Sequence, residues 1–115
     1  MAPENDRSAL LQGTLDMLIL RTLLFGPAHG RAIARHIQHT TDDVLQVEHG
    51  SLYPALHRLE RRGWIAGTWE AREAKREFKY YRLTAVGRKQ LLRVESNWRR
   101  FAKAIGRVIS PETGG

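Results

Sequence analysis

Cysteine is absent from the 115 residues of the chain, which excludes disulfide bonds, thiolate nucleophiles and cysteine-based zinc sites. Long hydrophobic runs are absent too. The longest, Leu15–Phe25, is interrupted by an acid, an arginine and a threonine and falls short of the ~20 residues that span a bilayer. The first residues contain acids, arginine and proline where a signal peptide would have an apolar core. We therefore expect a cytoplasmic protein that does not contact a membrane.

Acidic residues are scarce, with 12 Asp and Glu against 19 Lys and Arg and a formal net charge of +7. This excess favours a polyanionic partner, either nucleic acid or an acidic membrane surface. The length predicts a single domain, and a hydrophobic content of 42% is typical of a globular chain. Basic proteins of other kinds share this charge, so the choice of partner depends on the motifs.

The segment Gly50–Arg62 has the pattern of an amphipathic helix. Leucines spaced four and three residues apart predict one buried stripe: Leu52, Leu56 and Leu59. Ser51 is a suitable N-cap, which would place Pro54 at the third helical position, where its missing N–H costs nothing. Gly63 is a suitable residue to end the helix.

The opposite face of this helix carries cations, a phenol and an imidazole, which could contact phosphates and base edges of DNA. Its members predicted to face the major groove are Ser51, Tyr53, Pro54, His57 and Arg58. Arg58 could pair with a guanine or with a phosphate. Considered alone, the helix is equally well interpreted as having an ordinary solvated face.

The order of elements around this helix indicates a winged helix-turn-helix. We expect helices over Leu10–Leu24, Ala28–Thr40, Gly50–Arg62 and Ala85–Ile109, and strands over Trp64–Ala71 and Glu77–Leu83. Thr84 is the predicted N-cap of the last helix. The predicted fold is mainly α with a small β-ribbon, whose charged tip would lie against the DNA backbone or minor groove. Lys75 and Arg76 at this tip, with Arg31 and Arg35 of the second helix, would supply sequence-independent phosphate contacts.

An apolar seam on the last helix predicts a second subunit. Its members step by three and four residues: Leu91, Val94, Trp98, Phe101, Ile105 and Val108. The first helix is apolar on more than one side and needs a second cover, so Leu15 and Leu18 join the predicted interface. The domain boundaries follow: tails over residues 1–7 and 111–115 expected to be disordered, a DNA-binding domain over 8–84 and a dimerisation helix over 85–110.

Three motifs resemble those of the PadR family of bacterial transcriptional regulators. They are Gly26-Pro27-x-His29-Gly30, then Gly50-Ser51-Leu52-Tyr53-Pro54-Ala55-Leu56-x-Arg58-Leu59-Glu60 with Gly63-Trp64-Ile65, then Lys79-Tyr80-Tyr81-x-Leu83-Thr84-x-x-Gly87. The resemblance implies a winged-helix repressor that dimerises through C-terminal helices, and the single final helix is similar to the compact subgroup. It also makes Trp98 and Phe101 candidates for binding a small, flat aromatic effector, although both could be packing anchors. Arg31 stands where family members often carry an aromatic residue.

Catalytic chemistry is not predicted. The five histidines are scattered, no acid cluster accompanies them at zinc-ligand spacing, and no nucleophile elbow or nucleotide-binding glycine motif is present. We therefore expect no enzyme, no cofactor and no metal. The alternative to a homodimeric, sequence-specific regulator of double-stranded DNA is a winged-helix module that binds another protein.

Overall fold

The computed structural model describes residues 3–71 and 76–110, with side chains from Gly13 onward. The elements are α1 (Pro3–Leu23), β1 (Ala28–His29), α2 (Gly30–Thr40), α3 (His49–Arg61), β2 (Ile65–Ala71), β3 (Glu77–Leu83) and α4 (Ala85–Ile109). The strands form an antiparallel sheet in the order β1-β3-β2. Three helices followed by a ribbon and a long helix confirm the predicted winged helix-turn-helix.

The core lies where α3 packs against α1 and α2. The predicted leucine stripe of α3 is fully buried, and it belongs to one core cluster with apolar side chains of the other helices and of β2: Ile19, Leu20, Leu23, Ile33, Ile37, Ile65 and Leu91. Leu91 is only 1% exposed in the single chain. It therefore belongs to the core of its own domain, and this burial argues against its predicted place in a dimer interface.

The first helix is longer than predicted, because α1 begins at Pro3 rather than near Leu10. Proline is well tolerated at the start of a helix, where its missing N–H has no intrahelical acceptor. The helix therefore includes residues 3–7 of the tail that was expected to be disordered. Residues 1–2 and the predicted tail over 111–115 lie outside the described residues.

Two helix starts differ from the predictions. α3 begins at His49 with Glu48 at the N-cap, so Ser51 is its third residue and Pro54 its sixth. Pro54 therefore removes one intrahelical hydrogen bond, which its N–H would have donated to Gly50. Gly50 is exposed, so water can bond its carbonyl. At α2, the first two residues of the predicted helix instead form β1, which pairs with Tyr80 and Tyr81 of β3.

The start of α4 is held against the turn between α3 and β2. Thr84 caps α4, as predicted, by accepting a hydrogen bond from the Gly87 N–H at 3.0 Å. Its own N–H donates to the Trp64 carbonyl at 3.1 Å, and its single hydroxyl proton is shared between the Gly63 carbonyl at 2.7 Å and the Trp64 carbonyl at 3.0 Å. A Cβ on Gly87 would overlap that Trp64 carbonyl oxygen. Glycine is therefore required at this position for the close approach of two backbones.

We expect Gly87→Ala to lower the free energy of unfolding by about 1–3 kcal/mol or more, because the added methyl group displaces a backbone carbonyl rather than a flexible side chain. Gly106→Ala is the matched control in the same helix, since nothing lies within 4 Å of its Cβ position. Alanine there should raise stability by up to about 1 kcal/mol. Urea denaturation of both variants measures the difference, and equal stabilities would contradict the proposed close approach.

Candidate nucleic-acid interface

The outer face of α3 is exposed because its leucine stripe is turned into the core. Ser51, Tyr53, Pro54 and His57 all lie on this exposed face, as predicted. Arg61, one turn beyond His57, is exposed as well. This face presents hydroxyl, imidazole and guanidinium groups to solvent, which are the groups that contact phosphates and base edges.

Arg58 is placed differently from the other predicted groove residues. Its Nη2 donates a hydrogen bond to Asp16 Oδ1 of α1 at 2.7 Å, and both side chains are largely shielded from solvent. Burial raises the pKa of the Asp16 carboxyl, while the hydrogen bond and charge of Arg58 oppose that rise. The guanidinium is thus occupied in joining α3 to α1, which argues against the predicted contact with a guanine or a phosphate.

A cleft of 390 Å³ lies between the first turns of α2 and α3 and the β2–β3 ribbon, hereafter the wing. Three predicted DNA-binding residues, Arg31, Tyr53 and Arg76, line it together with His49 and Trp69. None of the described residues that line the cleft is acidic. The fold thus brings cations from α2 and from the wing to the same opening beside α3.

Tyr53 forms the wall of this cleft on the α3 side. A Cβ on Gly30 would lie 2.8 Å from the Tyr53 hydroxyl oxygen, so the absence of a side chain at the first residue of α2 makes room for the phenol. The His49 ring meets Tyr53 edge to face at a centroid distance of 5.5 Å. Tyr53 is therefore held between two helices, although its side chain remains in part exposed.

His29 joins the start of α2 to the wing. Its Nδ1 accepts a hydrogen bond from the Ala32 N–H at 3.2 Å, and its ring stacks on Phe78 at a centroid distance of 5.0 Å. Burial lowers the pKa of His29, and the positive charges of Arg35 and Arg31 lower it further. The neutral ring is the form that can accept this capping bond, so the surrounding cations favour the form that the helix start requires.

The wing is fixed to the end of α3 by an ion pair. Lys79 Nζ lies 2.9 Å from Glu60 Oε1, and this hydrogen bond raises the pKa of Lys79. Gly67 of β2 leaves the space that the pair occupies, because a Cβ there would meet both side chains. Glu60 therefore joins the end of α3 to β3 of the wing.

The remaining predicted DNA contacts are divided between a second surface and an undescribed segment. Arg35 lies with Arg31 in an open depression of 260 Å³ on the outer face of α2, together with His39. Arg76, which also lines the cleft, is exposed immediately before β3, and Lys75 falls outside the described residues.

The predicted dimer residues fall into two groups. Trp98, Phe101, Ile105 and Val108 are exposed along one face of α4. Leu15, Leu18 and Val94 are half-buried and pack against the core of the single chain. Leu15 and Leu18 also line a small apolar depression of 110 Å³ beside Leu45 and Val47.

Sequence reasoning missed Trp69 as a site residue, since its aromatic ring suggests a core position. Trp69 lies on the same face of β2 as the buried Ile65, but it stands beyond the edge of the core and is 64% exposed. The alternation of faces along the strand was available in the sequence, whereas the end of the core was not.

Comparison with known proteins agrees with this geometry. The model of the transcriptional regulator PadR-like family matches residues 19–93. The chain belongs to this PadR-like family. Its members are transcriptional regulators, and this confirms the prediction that the chain is not an enzyme. The resemblance found in the three motifs is thereby confirmed over most of the chain.

Several PadR-like and related proteins show how far the similarity extends. A transcriptional regulator from Clostridium thermocellum is 28% identical, with a TM-score of 0.78 over 86% of this chain and 93% of that one. A PadR family regulator from Eggerthella lenta is 32% identical, with a TM-score of 0.72 over 96% and 97%. An uncharacterised protein from Lysinibacillus sphaericus is 29% identical over 86% of this chain and 91% of its own length. The likeness thus includes α4 as well as the winged helix.

Two features are absent from the part of the chain that the structure describes. No helix of the described chain combines the length and apolar content needed to cross a bilayer. Within residues 3–71 and 76–110, no three histidine, aspartate or glutamate side chains are grouped so that they could hold a metal ion.

We expect Arg58→Met to lower the free energy of unfolding by about 1–3 kcal/mol, because it leaves the Asp16 carboxylate shielded without its partner. Asp16→Asn should cost less, since Arg58 can turn towards water. The double variant should be more stable than the sum of the two losses predicts. Urea denaturation of the four proteins measures this coupling, and strictly additive losses would show that the pair contributes nothing.

Proposed function

We propose that this PadR-like protein is a homodimeric, sequence-specific DNA-binding regulator, acting as a repressor on a two-fold symmetric operator in the cytoplasm. The observation that carries the proposal is the cleft, in which the exposed face of α3 meets cations from α2 and the wing without an acidic lining residue among those described. A duplex is the polyanion whose groove admits a helix and whose backbone flanks it on both sides.

Dimerisation is supported by the way α4 leaves the core. Its buried residues are Gly87, Leu91 and Glu95, all in its first half. Glu95 is the last of them, and Arg21 of α1 lies 3.6 Å from its carboxylate. Beyond this point no described residue of α4 is buried, so this half of the helix projects from the core.

The projecting half of α4 carries an apolar face without a cover in the single chain. Trp98, Phe101, Ile105 and Val108 form this face, hereafter the apolar stripe, and each is more than 40% exposed. Their spacing of three, four and three residues is that of helices that pair along a heptad seam. A second copy of the chain would cover the stripe with the same residues and would place two α3 helices on one side of the dimer.

An effector site is part of the same proposal. Trp98 and Phe101 both expose their rings on the stripe, so pairing of two copies would bring four aromatic rings together. A small, flat aromatic ligand fits between such rings, and its binding would alter the separation of the two α3 helices. The same two residues can also act as plain packing anchors of the dimer.

The purified protein should prefer a duplex selected from a random pool over unrelated competitor DNA, with half-sites about 10 bp apart centre to centre. Assuming ~6–10 phosphate contacts per dimer, raising salt from about 50 to 200 mM should weaken binding roughly 10³–10⁵-fold. Fluorescence anisotropy over a salt series measures both properties. Failure to prefer any duplex, combined with capture of a specific protein, would favour the interaction-module alternative.

Ile105→Glu should convert the dimer to a monomer, because it places two like charges in the centre of the paired stripes. The matched control is Leu92→Glu, which alters an exposed apolar residue of the same helix outside the stripe and should remain dimeric. Analytical ultracentrifugation gives the oligomeric state of each variant. A wild-type chain that is monomeric at micromolar concentration would refute the proposed dimer.

A further inference from the structure

We infer that Trp69 contacts DNA directly, packing its indole against a deoxyribose of the backbone while Arg31 and Arg76 bind the adjoining phosphates. This inference rests on the proposed function and deepens it. It adds a residue from the face of the wing to a DNA surface that otherwise consists of α3, α2 and the wing tip. In this arrangement the cleft binds one sugar-phosphate segment of the DNA backbone.

The position of Trp69 in the sheet points its side chain towards α3. Residues alternate across the faces of a strand, so Trp69 shares its face of β2 with Ile65, which is buried in the core. Its partner across the ladder is Lys79 of β3, which pairs with Glu60 of α3. The indole therefore lies on the concave side of the wing, opposite Tyr53, and not on the outer side that faces away from α3.

Neighbouring side chains leave most of the Trp69 side chain exposed to solvent. Its side chain is 64% exposed, whereas the other wing aromatics that line the cleft, Phe78 and Tyr81, are half-buried or buried. An isolated exposed apolar residue needs no explanation. Trp69 differs because it lines a concave site together with a second partly exposed aromatic residue, Tyr53.

The charges around Trp69 favour a ligand that combines an anionic group with an apolar group. Lys79 is neutralised by Glu60, but none of the ion pairs among the described residues involves Arg31 or Arg76. Both guanidinium groups line the same cleft as the Trp69 indole, Arg31 from α2 and Arg76 from the segment just before β3. A DNA backbone offers the matching alternation, since each charged phosphate is followed by a deoxyribose whose carbon-rich face carries no charge.

Trp69→Ala should weaken binding to the selected duplex roughly tenfold, because the apolar surface of the ring is no longer buried on binding. The slope of affinity against salt should stay unchanged, since every phosphate keeps its cation. Arg31→Gln and Arg76→Gln should instead each reduce that slope by about one, because each removes one cation from a phosphate. Trp69→Phe should restore most of the affinity of the unmodified protein. Thr68→Ala, on the outer face of the same strand, should bind as the unmodified protein does.

A second measurement keeps the inference testable if Trp69→Ala does not fold. The difference in fluorescence between the unmodified protein and Trp69→Phe reports Trp69, and the selected duplex should protect this signal from acrylamide quenching. A mononucleotide such as dAMP should give no protection. Protection by dAMP but not by the duplex would overturn the inference in favour of a nucleotide pocket.

Two outcomes separate this inference from the proposed function. A protein that binds no duplex removes both. A protein that binds its duplex with the predicted salt dependence, while Trp69 stays open to quencher and Trp69→Ala binds unchanged, keeps the proposed function and refutes the role of Trp69.

Discussion

The carbonyl of Trp64 is the point on which the arrangement of the functional elements depends. It accepts hydrogen bonds from the N–H and the hydroxyl of Thr84, and the Cα of Gly87 lies directly against it. Because α3 leads into Trp64 and β3 leads into Thr84, this contact joins the end of α3, both ends of the wing and the start of α4. The direction in which α4 leaves the domain follows from one backbone approach that only glycine permits.

The distribution of charge follows from the same packing. Each of three acids lies beside a cation of another element: Asp16 binds Arg58, Glu60 binds Lys79 and Glu95 lies near Arg21. These pairs join α1 to α3, α3 to the wing, and α1 to α4. The scarce acids among the described residues thus serve in part as internal partners, which leaves guanidinium groups on the outer faces of α2 and the wing. The net charge of +7 is therefore concentrated on these outer faces, because acidic side chains that balance other cations lie between elements.

The sequence predicts the elements best where their signals are local. β3 and α4 have the predicted bounds, and the leucine stripe of α3 is buried as its spacing requires. Predictions fail where a distant residue decides. β1 exists only because two residues pair with a strand about fifty positions away, and the Arg58 guanidinium binds an aspartate 42 residues earlier in the chain. Leu91 fits the heptad seam of α4 as well as Trp98 does, yet the packing of α4 on α1 buries one and leaves the other exposed.

Short segments of the chain are enough to identify a basic PadR-like winged helix, because helix periodicity, turn residues and family motifs are all local properties. They also establish which side of α3 is polar. Which of the polar and aromatic side chains share a surface is settled by packing alone. Arg31, Tyr53, Trp69 and Arg76 come from separate parts of the chain, and they meet because burial of the core and the Trp64 carbonyl fix the distances between their elements. Proximity of this kind arises between distant segments, and no spacing along the chain encodes it.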